Sequence, residues 1–320
     1  MSKLGKHTTS DEAAAKYEEN VKGKTVVVTG GTWGGIGAEA AKTIVKYGAS
    51  LVIFTGRKTE IIKETLENIE KEVPNAPIKG VIMDLASFES IKKAVSEINS
   101  LIDRVDVLIN NAGVMACPYS TTKDGFEMQF GVNHLGHFLF TALLKDKLFA
   151  SPAPRVVNVS SNGTFISPVL FDDINFNKGK EEYRIFVSYG QSKTANVLFT
   201  RELHDKFNKS NNLTSFSLHP GVIHTNLSRH LEDMMVFTKE KNYWGEQMFT
   251  VEDMQNLEFK TVSQGASTTI VAAFTDEHPS GSFLSDCQDV TKTLRDYATD
   301  KKNAERLWEV SEEFTKQSFQ

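Results

Sequence analysis

Cysteine is nearly absent from this chain: Cys117 and Cys287 are the only two in 320 residues. Two thiols cannot make a disulfide framework, and neither stands at a metal-ligand spacing from another Cys or His. Structural thiols in a reducing compartment are the expectation, with no metal site. Long apolar runs are missing too, since no window reaches the ~18 residues that span a bilayer. Residues 1–22 are polar and lack the apolar core of a secretory signal. A cytoplasmic protein without a membrane anchor is therefore expected. No Lys/Arg stripe exists to neutralise nucleic-acid phosphates; the formal net charge is −5 and the basic residues are dispersed. Internal repeats, low-complexity tracts and Pro-rich linkers are also lacking. One domain is expected over residues 23–320, preceded by an N-terminal extension, 1–22.

What is present is alternation. Hydrophobic residues make up 40% of the chain and charged ones 24%, enough for a sizeable core. Short β-branched runs at 25–29, 51–55, 78–83, 105–109, 155–159 and 214–218 read as strands. Between them lie amphipathic stretches such as 60–72 and 87–101, where apolar residues recur at three and four. Strand–helix alternation implies an α/β fold, a Rossmann-type doubly wound parallel sheet flanked by helices on both faces. Ligands bind such sheets at the carboxyl ends of the strands. One segment breaks the rhythm. Residues 224–260 are polar, Met-rich and dotted with aromatics, and a stretch this long without a strand suggests a substrate-covering flap.

The run "TGGTWGGIG", Thr29 to Gly37, lies between the first strand and a helix starting near Ile36. Glycines there let backbone N–H groups approach a pyrophosphate, and the helix dipole favours the same anion. After the second strand stands Phe54-Thr-Gly-Arg-Lys58, with no acidic residue. An acid at this position holds the ribose hydroxyls of NAD, whereas a base accommodates the 2′-phosphate of NADP. Arg57 and Lys58 thus point to NADP(H). Asp84 and Leu85 follow the third strand, where the carboxylate is placed to accept from an adenine amino group. Asn110-Asn111-Ala112-Gly113 follows the fourth, leaving room for the central ribose.

In Tyr189-Gly-Gln-Ser-Lys193 the phenol and ammonium sit four residues apart, on one face of a helix. A neighbouring ammonium favours phenolate and would tune the Tyr for acid–base work. Y-x-x-x-K alone arises often by chance. Together with Ser160-Ser161, Asn133 and Asn110–Gly113 it does not.

These stretches resemble the short-chain dehydrogenases/reductases, specifically the retinol-dehydrogenase-like branch and its soluble microbial relatives. "NNAGVM", "GVNHLGHFLFT", "RVVNVSS", "SYGQSKTANVLFTREL" and "LHPGVIHTNLSRH" carry the likeness, and "QGASTTIVAA" with "GSFLSDC" extends it to Cys287. The resemblance implies that Tyr189 exchanges a proton with a carbonyl oxygen as hydride passes to or from nicotinamide. It implies that Lys193 bonds the nicotinamide ribose, and that Ser161, with Ser160 as alternative, holds the substrate oxygen. Asn133 would anchor a water leading to Lys193. Pro220, Gly221 and Val222 would border the nicotinamide, and Thr225 would reach its carboxamide or the phosphates. The family's glycine loop reads T-G-x-x-x-G-x-G, and this one is a residue longer. Gly30 and Gly37 match its ends, either Gly34 or Gly35 serves as the middle glycine, and the other is extra. Gly35 is expected at the pyrophosphate with Thr32 nearby. Trp33 is expected to bulge beside the adenosine phosphate, the alternative being packing on the loop's outer side.

Met115, Cys117, Phe165, Tyr183, Phe186, Met234, Met235 and Trp244 are candidates for an apolar pocket, and Phe126, Met128, Phe130 and Phe138 for core. His134, His137 and His219 stand beside motif residues and are read as packing or capping groups. The sequence thus expects an NADP(H)-dependent carbonyl reductase or alcohol dehydrogenase, monomeric or homodimeric, acting on a small apolar ketone, aldehyde or secondary alcohol. A cofactor-binding redox sensor or scaffold with little turnover is the competing class, with a nucleotide-sugar epimerase or dehydratase behind it.

Overall fold

The computed structural model describes residues 3–177, 180–225, 227 and 234–319. Seven parallel strands form its centre: β1 (Thr25–Val28), β2 (Leu51–Gly56), β3 (Ile78–Ile82), β4 (Val107–Asn110), β5 (Arg155–Val159), β6 (Thr214–His219) and β7 (Phe283–Ser285). A short antiparallel strand, β8 (Gln288–Asp289), completes the edge. The order is β3-β2-β1-β4-β5-β6-β7-β8, so the winding reverses between β1 and β4 and opens a crevice at their carboxyl ends.

Period-two alternation feeds two cores. Val26, Val28, Val52, Phe54, Val107 and Ile109 face one, and Val27, Ile53, Leu108 and Val156 face the other. The first face is covered by the helices Ile36–Lys46 and Val262–Phe274 through Ala40, Ala41, Ile44, Ile270 and Val271. The second is covered by Phe88–Leu101, Gly136–Leu143 and Ile185–Asn211 through Ile91, Ile98, Phe138, Phe199 and Leu203. Lys301–Thr315 packs outside Ile185–Asn211, with Trp308 edge-on to Phe138 at 5.3 Å. The N-terminal stretch joins the body. Thr9 and Glu12 cap the helix Ser10–Lys16, which lies on Val262–Phe274 with Ala13 and Ala14 fully buried.

Two departures from the sequence reading bear on the site. The apolar stretch after β4, which carries no proline from 126 to 148, is not one helix but is broken into Met128–Phe130, a π-helical turn Gly131–Leu135, Gly136–Leu143 and Lys145–Phe149. A π turn inserts one residue per hydrogen-bonded ring, which periodicity does not reveal. β7 and β8 are three and two residues long, too short to show a pattern. They are joined by Asp286 and Cys287, at φ 50° and 63°, the left-handed pair of a tight hairpin. Within the expected flap lie the 3-10 turn Met234–Thr238, a bridge from Lys241 to Gln247 and the helix Val251–Gln255. Residues 226 and 228–233, and the side chain of Met234, fall outside the described residues.

Candidate active site

The crevice opens into a cavity of about 740 Å³ lined from the glycine turn to Phe259. At one end β1 delivers the chain into the turn. Gly34 takes φ +76°, where a side chain is strained, and stays off the cavity; Gly35 lines it and caps Ile36–Lys46 without a side chain. Gly34 is thus the added turn residue, and Gly35, Ile36 and Gly37 bring the uncapped helix N-terminus to the cavity wall. Gly37 admits no substituent, because a methyl there would stand 2.4 Å from both the Gly30 carbonyl and Asn111 Nδ2.

Thr32, Arg57, Asp84, Leu85, Ala112 and Gly113 line the same end, as do Gly30 and Asn111. Arg57 is exposed, on the segment that follows β2. Asp84 Oδ1 accepts from the Ala86 N–H at 3.1 Å. Two residues named from the sequence are placed elsewhere. The Trp33 ring packs against the first core with the Lys42 ammonium 5.8 Å from its centroid, so the reading beside the phosphate is corrected to outer-side packing. Its short turn is pinned by the Thr65 hydroxyl, which accepts from the Trp33 N–H at 3.1 Å. Lys58 stands outside the cavity at the cap of the helix Thr59–Glu72.

Midway, Ser161, Tyr189 and Lys193 converge. Tyr189 and Lys193 are carried one turn apart on Ile185–Asn211, and Ser161 follows β5. Ser161 lies against the Tyr189 phenol and its oxygen accepts from the Gly163 N–H at 3.0 Å. Ser160 is buried and donates to the Lys193 carbonyl at 2.7 Å, so of the two serines only Ser161 has its hydroxyl at the phenol. The expected ammonium effect on the phenol is corrected. Lys193 Nζ donates to the Val159 carbonyl at 3.1 Å and lies 5.6 Å from the Tyr189 ring centre. Burial raises the phenol to about 12, opposed by Ser161, and lowers the Lys193 ammonium to about 8.

Asn133 lies in the π turn, fully buried. Its Oδ1 accepts from the Val114 N–H at 2.8 Å, and its Nδ2 donates to the Val114 carbonyl and Ser192 Oγ, each at 2.9 Å. The side chain is spent on the Val114 backbone and the Ser192 hydroxyl and does not line the cavity.

Pro220, Gly221, Val222 and Thr225 line the other side after β6. Behind them Lys260 packs on Gly221, bonds Asp286 and donates its N–H to the Val222 carbonyl at 2.8 Å. His219 Nδ1 accepts from the Asn162 N–H at 3.3 Å, and burial lowers its pKa to about 4. No group of three or more metal-ligating side chains occurs among the described residues.

The far end is apolar. Met115, Phe165 and Ile166 line it with Phe237, Met248, Phe249, Met254, Leu257 and Phe259. Phe237 packs against Phe186, tilted with ring centroids 4.5 Å apart, so Phe186 supports the wall from behind instead of forming it. Cys117, Tyr183, Met235 and Trp244 also fall outside the lining, and Met128 falls inside it. Tyr183 donates to Glu127 Oε1 at 2.9 Å, and Trp244 lies under the Arg295 guanidinium at 4.5 Å. Arg295, fixed in this way, reaches the cavity with Asn242 and Glu246. Nothing in the sequence marks Arg295, which belongs to no motif. No helix among the described residues is long and apolar enough to cross a membrane.

The sequence model of the short chain dehydrogenases matches residues 24–171. Retinol dehydrogenase 12 of Mus musculus is 37% identical over 295 residues, covering 91% of this chain and 86% of its own. Retinol dehydrogenase 13 of Homo sapiens is 44% identical over 217 residues, 68% of this chain and 64% of its own. An uncharacterized protein from Mycobacterium Paratuberculosis superposes with a TM-score of 0.71 at 32% identity, covering 93% of this chain and 96% of its own. Strand order, crevice and sequence agree: the chain belongs to the short-chain dehydrogenases/reductases, on the retinol-dehydrogenase-like branch, and is an oxidoreductase of that family.

Proposed function

We propose that the protein is an NADP(H)-dependent carbonyl reductase or alcohol dehydrogenase acting on an apolar ketone, aldehyde or secondary alcohol. The observation that carries this reading is the Ser161–Tyr189 hydroxyl pair, set midway between a glycine-walled and an apolar end of one cavity. The glycine-walled end suits a dinucleotide. Ile36 and Gly37 present amides to a pyrophosphate across the Gly35 turn, Asp84 an acceptor to adenine, and Arg57 with Thr32 a cation and a hydroxyl to a 2′-phosphate. The bound dinucleotide supplies or accepts the hydride.

This chain's own residues handle the oxygen. In reduction Ser161 Oγ holds the carbonyl oxygen, and Tyr189 gives it the phenolic proton; oxidation reverses the transfer. A phenol at about 12 is a reluctant acid, so the proton moves as negative charge develops on the oxygen. Lys193, whose ammonium lies 5.6 Å from the phenol ring centre, would bond the nicotinamide ribose. Phe165, Phe237 and Phe249 exclude water and receive the apolar body of the substrate.

The test is NADPH oxidation with a panel of apolar ketones and aldehydes, retinal included because of the named relatives. Tyr189→Phe should abolish turnover while leaving NADPH binding intact. Undiminished turnover in that variant would overturn the mechanism, and tighter binding of NADH than NADPH would overturn the cofactor assignment.

A further inference from the structure

A row of polar residues crosses the otherwise apolar second face of the sheet. Thr29 follows Val28, whose register partner is Ile109, and Asn110 pairs with Asn158, which pairs with Ser217. All four side chains are buried, on the face of Val27, Leu108 and Val156. The helices above answer with polar groups. Asn110 Nδ2 donates to Thr141 Oγ1 at 3.1 Å and to Asn158 Oδ1 at 2.9 Å, and Asn158 Nδ2 donates to Thr200 Oγ1 at 2.9 Å. The ladder joins the helix of Tyr189 and Lys193 to the helix Gly136–Leu143, where Thr141 Oγ1 donates to the His137 carbonyl at 2.7 Å, and the ring of this last member reaches the glycine turn.

That last member is His137, and its hydrogen bonds fix its protonation. A hydroxyl has one proton and two acceptor sites. Thr29 Oγ1 accepts from the Asn111 N–H at 2.9 Å and the Ala112 N–H at 3.0 Å, so its proton goes to His137 Nε2, 2.8 Å away. His137 Nδ1 faces the Asn133 carbonyl at 3.0 Å, and a carbonyl only accepts. Both constraints demand the neutral ring with its proton on Nδ1. The ring is fully enclosed, and burial lowers its pKa to about 4, with the Lys193 charge acting the same way. The Asn133 carbonyl belongs to the π turn that breaks the helix, close to the reacting groups. A methyl on Gly113 would meet Asn133 Oδ1 at 3.2 Å and Lys193 Nζ at 3.6 Å.

We propose that His137 is a positioning residue: through Thr29 and the Asn133 carbonyl it holds the glycine turn and the π turn in one register. The cofactor's diphosphate end and the Lys193 end of the site are then set by the same hydrogen-bonded chain. Its consequence for turnover rests on the proposed reductase activity; its hydrogen bonding does not.

The experiment has two arms on the full chain. In the first, ¹⁵N-histidine spectra near neutral pH, with the His137 signals assigned by their loss in His137→Gln, report the tautomer. An Nδ1–H ring is expected, and an Nε2–H or charged ring overturns the proposal. In the second, His137→Phe and His137→Gln are compared under saturating NADPH, per folded site. The phenyl variant should lower kcat by roughly tenfold to a hundredfold with KM for the carbonyl nearly unchanged. Glutamine, whose amide can donate to Asn133 and accept from Thr29, should recover most of it. A His137→Phe protein that loses only thermal stability and keeps its kcat would reduce His137 to a structural group. If both variants fail to fold, the tautomer and a Thr29→Val variant, expected to lose kcat in the same way, decide. A wild-type protein that turns over no carbonyl would sink the activity reading instead, leaving the tautomer to judge His137.

Discussion

Around the glycine turn the cavity wall is mostly backbone and the shortest side chains, from Gly30, Gly35, Gly37, Ala112 and Gly113. Around Phe249 it is side chain, from Phe237, Met248, Phe249, Met254 and Leu257. The first wall is built on strand ends whose register is fixed by neighbours on both sides, β1 between β2 and β4. The second hangs on short turns tied down from outside. The Tyr243 N–H donates to the Ile166 carbonyl at 2.8 Å, Arg184 donates to the Lys241 carbonyl at 2.8 Å, and Lys6 pairs with Glu258. A backbone wall tolerates one ligand shape; a side-chain wall is redrawn by substitution. Between the two stand Ser161, Tyr189 and Lys193, and the largest effect is expected there. Tyr189→Phe should cut kcat by about 10²–10⁴-fold with NADPH affinity within a few-fold of wild type, measured by stopped-flow oxidation and fluorescence titration.

Next in size is a change that reverses the charge of the cation at the backbone end. Arg57→Asp should weaken NADPH by about tenfold to a hundredfold and leave NADH unaffected or improved, because a carboxylate repels the 2′-phosphate and accepts from free ribose hydroxyls. Dissociation constants for both dinucleotides check it. An NADPH preference that survives would move the 2′-phosphate away from the segment after β2.

The two ends also differ in how far the sequence disclosed them. Glycines and small residues at strand ends are dictated by close approach, so "TGGTWGGIG" and "NNAG" carry their geometry in their composition. The contacts of residues 234–259 depend on which of several Met and Phe residues turn inward, and hairpins such as 241–247 decide that, not periodicity. The sequence reading picks Met235 and Trp244 from this segment, yet Phe237 and Phe249 line the cavity instead. The fold followed the same rule. Buried strands of four to six residues were legible, whereas β7 and β8, two or three residues each, were not. The π turn around Asn133 was hidden because its sequence is helical throughout.

The side-chain end therefore predicts a milder, substrate-dependent effect. Phe249→Ala removes a half-buried ring from the apolar wall and should raise KM for bulky apolar carbonyls by about tenfold, leaving small ketones and kcat little changed. Steady-state kinetics on a size series checks this; an equal loss on every substrate would mean the ring supports the site's structure instead.

The smallest effect is on stability, and it sets the catalytic middle against both ends. Lys193 is buried, and burial moves its pKa down from 10.5 to about 8. Below about pH 8 the ammonium is charged in both folded and unfolded chains, and the folded state bears the whole cost of burying it. Between about 8 and 10.5 the unfolded chain binds more protons than the folded one, so stability from this group rises with pH; above 10.5 the cost is gone. Lys193→Met removes the charge and keeps the bulk. The Val159 carbonyl it leaves still accepts from Asn196 Nδ2 at 3.2 Å, so no buried acceptor is stranded. The variant should be inactive yet melt roughly 2–5 °C higher than wild type near neutral pH. The gain should shrink as pH climbs through that window, as calorimetry of the two proteins in parallel would record. A variant that melts lower at neutral pH would mean that the Lys193–Val159 contact outweighs the burial of the charge.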